Sequence, residues 1–89
     1  MSRNYRTRQG EIDLVARDGD VLVFVEVRLR SGRGYGGAPA SVTPHKQRRI
    51  QAAAQMYLRQ FRRPPRCRFD VVALEGGDLR WIKAAFEAA

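Results

Sequence analysis

The chain has 89 residues, 44% of them hydrophobic, and 17 Lys and Arg against 9 Asp and Glu give it a net charge of +8. This length allows one small domain, residues 1–89, and this hydrophobic content supports a packed core, which excludes a second domain and a wholly disordered chain. A single cysteine, Cys67, excludes an internal disulfide, and no apolar run approaches the roughly 20 residues that cross a membrane, so we expect a soluble cytoplasmic protein.

The first predicted elements are a short strand at Arg3–Arg6 and a β-hairpin. The first arm of the hairpin, Glu11–Ala16, alternates apolar and acidic residues. The second arm, Val21–Leu29, is a β-branched run interrupted by Glu26. Asp18-Gly19 between the arms predicts a tight type I′ turn, for which Asp-Gly is a favoured pair.

The register set by this turn brings two carboxylates together. With Asp18 and Gly19 as the turn residues, Asp13 faces Phe24 and lies diagonal to Glu26 on the same face of the sheet. Carboxylates in this arrangement can hold one hard divalent cation, Mg²⁺ or Mn²⁺, at about 2.0–2.1 Å for magnesium. A three-residue loop would instead put the two acids on opposite faces and remove the site.

Glu26 stands in an otherwise apolar run, where a charge is costly unless it is paired or binds metal. The alternation of the strand places Arg28 on the same face. A purely structural ion pair between Glu26 and an arginine is therefore the alternative to a metal site. Glu11, nearer the strand end, is expected to be a solvated edge residue or a neighbour of the site.

A helix is predicted to begin after Thr43, the N-cap, with Pro44 at its first position. Its apolar stripe is expected to consist of Ile50, Ala53, Ala54, Tyr57, Leu58 and Phe61. Pro64-Pro65 is predicted to end the pattern. Lys46 and Gln47 precede the stripe by three or four residues, so they are expected to point toward the sheet.

The remaining segments complete an α/β pattern. Ser31–Ala40 is glycine-rich and is predicted to be a connecting loop without a nucleotide-binding motif. Phe69–Leu74 is nearly apolar and is expected to be a central strand, with Leu79–Ile82 as the final one. A strand, a helix and another strand favour a parallel crossover. For Asp70 we expect a structural role, and His45 has no metal-binding spacing.

The positive charge is carried mostly by arginine, whose planar guanidinium suits phosphate oxygens. A basic excess of this size indicates a nucleic-acid partner, with DNA favoured and RNA as the second candidate. A generic basic protein is the alternative. The arginines expected to contact phosphate are Arg30, Arg33, Arg48, Arg49, Arg59 and Arg62.

Five segments carry a resemblance that covers almost the whole chain. They are Gly10–Asp13 (GEID), Phe24–Arg28 (FVEVR), Val42–Gln47 (VTPHKQ), Arg68–Ala73 (RFDVVA) and Trp81–Phe86 (WIKAAF). In these segments the chain resembles the YraN family, bacterial proteins assigned to the restriction-endonuclease-like fold. The resemblance implies a mixed β-sheet with a packed helix, similar to that of Holliday junction resolvases, and a PD-(D/E)XK nuclease site.

The resemblance also assigns roles to residues. Asp13 and Glu26 would hold Mg²⁺ or Mn²⁺, and Arg28 would stand where the motif has lysine. Since arginine cannot act as a proton acceptor, Lys46 could supply an ammonium group from the helix, with Gln47 beside it. The family usually has an amino-terminal helix that bears a glutamate. That helix would precede this sequence, so either the chain is truncated or one wall of the site is missing.

Two main functions follow from these observations. The first is a metal-dependent endonuclease that hydrolyses phosphodiester bonds in structured or branched DNA. The alternative is a non-catalytic nucleic-acid-binding module on a decayed nuclease scaffold, and a third is a small basic subunit of a ribonucleoprotein. The resemblance to junction resolvases also favours a homodimer. The expected catalytic residues are Asp13, Glu26, Arg28, Gln47 and Lys46.

Overall fold

A computed structural model describes residues 2–30 and 42–87 of the chain. The elements in chain order are β1 Ser2–Arg6, β2 Glu11–Asp18, β3 Val21–Arg30, α1 Pro44–Leu58, β4 Cys67–Glu75 and β5 Asp78–Phe86. The predicted glycine-rich loop, Arg33 within it and the side chain of Arg30 lie outside the described residues. Among the described helices, none is both long and apolar enough to cross a membrane.

The strands form one five-stranded sheet in the order β1-β2-β3-β4-β5. Neighbouring strands are antiparallel, except that β3 and β4 run parallel and are connected through α1. This confirms both the parallel crossover and the internal position of the apolar strand β4. The protein therefore has a mixed α/β architecture.

The turn between β2 and β3 lies one residue later than predicted. The two-residue loop is Gly19-Asp20, and Asp18 is the last paired residue of β2, opposite Val21. Gly19 has φ of 61°, whereas Asp20 is outside the left-handed region. This is the pattern of a type II′ turn, in which glycine takes the first central position. The predicted type I′ turn at Asp18-Gly19 was wrong because glycine is more favourable at that first position than aspartate.

Helix α1 covers one face of the sheet, here called the helix face. Its buried residues Ile50, Ala53 and Ala54 belong to the predicted stripe. They pack against side chains from the three central strands, β2, β3 and β4, with Phe24 stacked on Phe69 in the middle at a ring-centroid distance of 5.4 Å. The strand residues of this core are Ile12, Val15, Leu22, Phe24, Phe69, Val71 and Ala73.

The two ends of α1 differ in how well the sequence predicts them. Thr43 is the N-cap as expected, and its Oγ1 accepts a hydrogen bond from the Lys46 N–H at 3.2 Å. The helix ends at Leu58, earlier than Pro64-Pro65 implies, because the N–H groups of residues 59–61 bond to carbonyls three residues back. Phe61 nevertheless packs against the core from beyond the helix.

The opposite side of the sheet, here called the far face, carries a smaller apolar cluster of Val23, Val25 and Val72. The register places Val72 beside Trp81 and Leu74 beside Leu79 on the neighbouring strand. The exposed large hydrophobic side chains of the described residues are Val27, Leu29, Leu79 and Trp81. Strand alternation puts all of them on the far face, so this face is the more apolar part of the surface.

Gly10 is buried where the β1–β2 turn meets α1, and a Cβ at this position would overlap the carbonyl oxygen of Arg49. We expect Gly10→Ala to force α1 away from the turn and to lower the free energy of unfolding by about 1–3 kcal/mol, the usual cost of overpacking. Urea denaturation measures this loss. Arg8→Ala, at an exposed position of the same turn, is the control, and equal free energies for both variants would contradict the prediction.

Candidate active site

Asp13 of β2 and Glu26 of β3 lie side by side. The pairing of the two strands reaches Leu14 opposite Val25, and Asp13 and Glu26 are the next residues on their strands. Phe24 pairs with Val15, so the predicted register, which placed Asp13 opposite Phe24, is wrong by two residues. A shift of two residues leaves side chains of a regular strand on the same face. The carboxyl groups of Asp13 and Glu26 meet within hydrogen-bonding reach of each other.

Strand β2 breaks its regular alternation at Asp13. Ile12 and Val15 are both buried in the core of the helix face, although an uninterrupted strand would direct them to opposite faces. Asp13 Oδ2 accepts a hydrogen bond from the Val27 N–H at 2.9 Å, a donor that a regular ladder would pair with the backbone of β2. On the other side, Asn4 of β1 has φ of 51°. This local irregularity anchors the Asp13 carboxylate between β2 and β3.

Glu26 is buried, with 5% of its surface exposed, and it has two cationic neighbours. Lys46 Nζ lies 2.9 Å from Glu26 Oε2, and Arg28 Nη1 lies 3.7 Å from the same oxygen. Burial raises the pKa of Glu26 to about 7, and the hydrogen bond and charge of Asp13 act in the same direction, whereas Lys46 opposes them. Glu26 therefore gains or loses its proton near neutral pH. In a structural ion pair the neighbouring cation would instead hold the pKa of the carboxyl group low.

A cleft of ≈ 370 Å³ opens over the acid pair, between the β1–β2 turn and the first turns of α1. Its charged lining residues are Arg6, Glu11, Asp13, Glu26, Lys46 and Arg49. Arg6 Nε pairs with Glu11 Oε2 at 3.2 Å, and within the described residues Arg49 forms no ion pair. The cleft thus combines the carboxylate oxygens of Asp13 and Glu26 with the guanidinium group of Arg49, which has no acidic partner in the described part of the chain.

The donor set fits a hard divalent cation. Among the described residues no group of three or more His, Cys, Asp or Glu side chains converges, and Asp13 and Glu26 are the carboxylates of this cleft that lie against each other. Mg²⁺ is usually held by one or two carboxylates, with water and substrate phosphate in its other positions. Asp13 and Glu26 could therefore hold Mg²⁺ or Mn²⁺ in a site that solvent and a phosphate complete.

Gln47 and the surface arginines lie outside this cleft. The Gln47 side chain donates from Nε2 to the Val42 carbonyl at 2.9 Å, which fastens the start of α1. Arg48, Arg59 and Arg62 are exposed on α1 and just after it. Their roles in catalysis or binding stay predictions.

Sequence reasoning missed Arg6 as a cleft residue. The signal is the turn that follows it, in which Thr7 Oγ1 accepts from the Gly10 N–H at 3.1 Å. That turn pairs Arg6 with Glu11 on the neighbouring strand and so directs both toward the cleft.

Asp70 has the structural role expected for it and lies on the far face. Its carboxylate accepts hydrogen bonds from Arg68 Nε at 2.8 Å and Nη2 at 3.0 Å, from Trp81 Nε1 at 2.8 Å and from the Ala84 N–H at 2.9 Å. Burial alone would raise the pKa of Asp70, but these hydrogen bonds outweigh it and hold the pKa below its usual value. Arg68 also bonds to Asp18 at 3.1 Å, so the cluster joins β2, β4 and β5.

The fold and the cleft define a small mixed α/β domain with an acid pair set among cations. Residues 1–74 match the model of a family described as "Uncharacterised protein family UPF0102". A UPF0102 protein of Herminiimonas arsenicoxydans is 52% identical over 88 residues, covering 99% of this chain and 71% of the relative. The chain belongs to the UPF0102 family, which confirms the resemblance to YraN proteins.

Two further relatives come from Cupriavidus and are also described only as UPF0102 proteins. The one from Cupriavidus taiwanensis is 63% identical over 87 residues, covering 97% of this chain and 66% of the relative. The one from Cupriavidus necator is 64% identical over 86 residues, with coverages of 96% and 66%. The chain therefore spans just under two thirds of the length of these two relatives.

Proposed function

We propose that this domain is a metal-dependent endonuclease that hydrolyses phosphodiester bonds in structured or branched DNA. The observation that carries the proposal is the Asp13–Glu26 pair at the base of a cleft whose walls bear Lys46 and Arg49. The order of the strands, with an acidic hairpin and one parallel pair joined through a helix, supports assignment to the restriction-endonuclease-like fold.

Asp13 and Glu26 would hold the Mg²⁺ or Mn²⁺ ion, which when bound polarises the scissile phosphate and lowers the pKa of a water molecule. Lys46 reaches the acid pair from α1, with its Nζ 2.9 Å from Glu26 Oε2, and would supply the ammonium group that the motif's lysine contributes. Arg28 would stabilise negative charge on the phosphate. Arg49 would bind the phosphate from the cleft wall.

The test is cleavage of four-way junction and flap DNA in the presence of Mg²⁺ or Mn²⁺. We expect Asp13→Asn and Glu26→Gln each to reduce cleavage to the background without metal, because each removes one of the two charged ligands. Asp78→Asn, at an exposed position of β5, is the matched control and should leave cleavage unchanged. Cleavage that survives both site variants would refute the proposed mechanism.

The second candidate, a non-catalytic nucleic-acid-binding module, is favoured by Arg28 at the position of the motif's lysine. Such a module would bind through arginine, and the logarithm of its affinity should fall with the logarithm of salt concentration, with a slope of about −0.9 per phosphate contacted on duplex DNA. Mn²⁺ titration separates the two candidates. Metal affinity that disappears in Asp13→Asn supports the endonuclease, and the lack of any metal affinity supports the binding module.

The partners predicted from the sequence are also proposals. Competition between matched DNA and RNA junctions tests the preference for DNA. The predicted homodimer is tested by sedimentation at several protein concentrations. A change in mass with concentration would support self-association, and a constant monomer mass would exclude it.

A further inference from the structure

We propose that Lys46 is an internal counter-ion that occupies the metal site until metal binds. Without metal its ammonium group neutralises Glu26. When the cation arrives, the ammonium group leaves that carboxylate and becomes available to a substrate phosphate in the cleft. This inference rests on the proposed function, because it requires that the acid pair bind a divalent cation.

The contrast in exposure between the two partners supports this exchange. Glu26 has 5% of its side chain exposed and stands in a central strand, whereas 42% of the Lys46 side chain is exposed. The carboxylate is therefore held in place, and the ammonium group sits at the end of a flexible four-carbon stem that reaches solvent. Of the two groups that meet at 2.9 Å, Lys46 is the one that can move away.

The balance of charge in the cluster favours departure of the Lys46 ammonium group from Glu26 once a metal ion binds. Asp13 and Glu26 carry two negative charges when both are ionised, and Lys46 and Arg28 bring two positive charges to the same oxygen of Glu26. A divalent cation at that place would make the cluster strongly positive at short range, where repulsion between like charges is large. Departure of the Lys46 ammonium group removes one of these charges without exposing Glu26.

Arg49 provides an internal comparison. It lines the same cleft one helical turn after Lys46, but no ion pair joins it to either acid within the described residues. A cation at this position contributes to phosphate binding without competing for the metal ligands. The effects of the two cations can therefore be separated. Lys46 should affect the affinity for metal, whereas Arg49 should affect only the affinity for nucleic acid.

The test uses the chain as it is, with Lys46→Met and Arg49→Met. Mn²⁺ affinity is measured by electron paramagnetic resonance without nucleic acid, at a pH high enough for Glu26 to be ionised in all three proteins. Methionine keeps the unbranched stem of the side chain without its charge, and the hydrogen bond of the N-cap uses the backbone N–H of residue 46. We expect Lys46→Met to bind Mn²⁺ about 5- to 150-fold more tightly than the wild type, the usual range of coupling between two ligands. Arg49→Met should bind Mn²⁺ as the wild type does.

A second measurement adds an uncleavable phosphorothioate DNA. In the wild type this DNA should tighten Mn²⁺ binding, because its phosphate accepts the released ammonium group, and Lys46→Met should lose most of this gain. Equal Mn²⁺ affinity in wild type and Lys46→Met, with binding abolished by Asp13→Asn, would overturn the role of Lys46 and leave the metal site intact. No Mn²⁺ binding by either folded protein would overturn the proposed function as well.

Discussion

Asp70→Asn is expected to lower the free energy of unfolding by about 3–5 kcal/mol, the range for breaking a buried ion pair by removing one partner. Asp70 has no exposed surface, and its two oxygens accept four hydrogen bonds. An amide in its place has one acceptor oxygen, and its NH₂ group would face donors. Both Arg68 and the Trp81 indole would then lose a hydrogen-bond partner, and Arg68 would keep only the exposed Asp18 as a charged partner.

Urea denaturation at neutral pH measures this loss, with Asp20→Asn in the exposed β2–β3 loop as the control. The pH dependence adds a second check. Because the folded state lowers the pKa of Asp70 below 3.8, its stabilisation is complete above that pH and is lost as the pH falls toward the folded pKa. The difference in free energy of unfolding between the wild type and Asp70→Asn should therefore become smaller only at acidic pH. A difference under about 1 kcal/mol at pH 7 would contradict the assignment, since exposed carboxylates contribute that little.

The features of this fold that the sequence predicts well are those set by local pattern. The β-strand alternation, the Thr43-Pro44 start of α1 and the inward direction of Lys46 all follow from short-range rules. The exact register of the hairpin does not, because Asp18-Gly19 and Gly19-Asp20 differ by one residue and both suit a tight turn. The acid pair was predictable even so, since either register puts both carboxylates on one face.

Other features depend on contacts that no local pattern encodes. The Asp13 carboxylate takes a backbone donor of β3, so the strand alternation breaks at the residue that matters most for the site. Arg6 enters the cleft through the pairing of β1 with β2, a contact between two separate strands. The shared hydrogen bonds of Asp70 likewise join residues 11 and 14 positions away in sequence, Trp81 and Ala84. Their partners are known only once the sheet is assembled.

Glu26→Gln is expected to change how stability depends on pH. The pKa of Glu26 is about 7 in the folded state against 4.5 for the free side chain, so the folded protein holds a proton over this interval that the unfolded chain releases. Stability of the wild type therefore falls as the pH rises from 4.5 to about 7. At 1.36 kcal/mol per pKa unit, the free energy of unfolding falls by about 3 kcal/mol in all, and this loss is complete once the pH exceeds the folded pKa.

The glutamine variant has no proton to release at this position. The free energy of unfolding of Glu26→Gln minus that of the wild type should therefore rise by about 2–3 kcal/mol between pH 5 and pH 8. Groups that titrate in both proteins cancel in this difference. Parallel curves for wild type and Glu26→Gln would mean that Lys46 keeps Glu26 ionised in a structural ion pair. Because Lys46 lowers the pKa of Glu26, Lys46→Met should extend the fall in stability to higher pH and so enlarge it, which assigns the effect to this carboxylate.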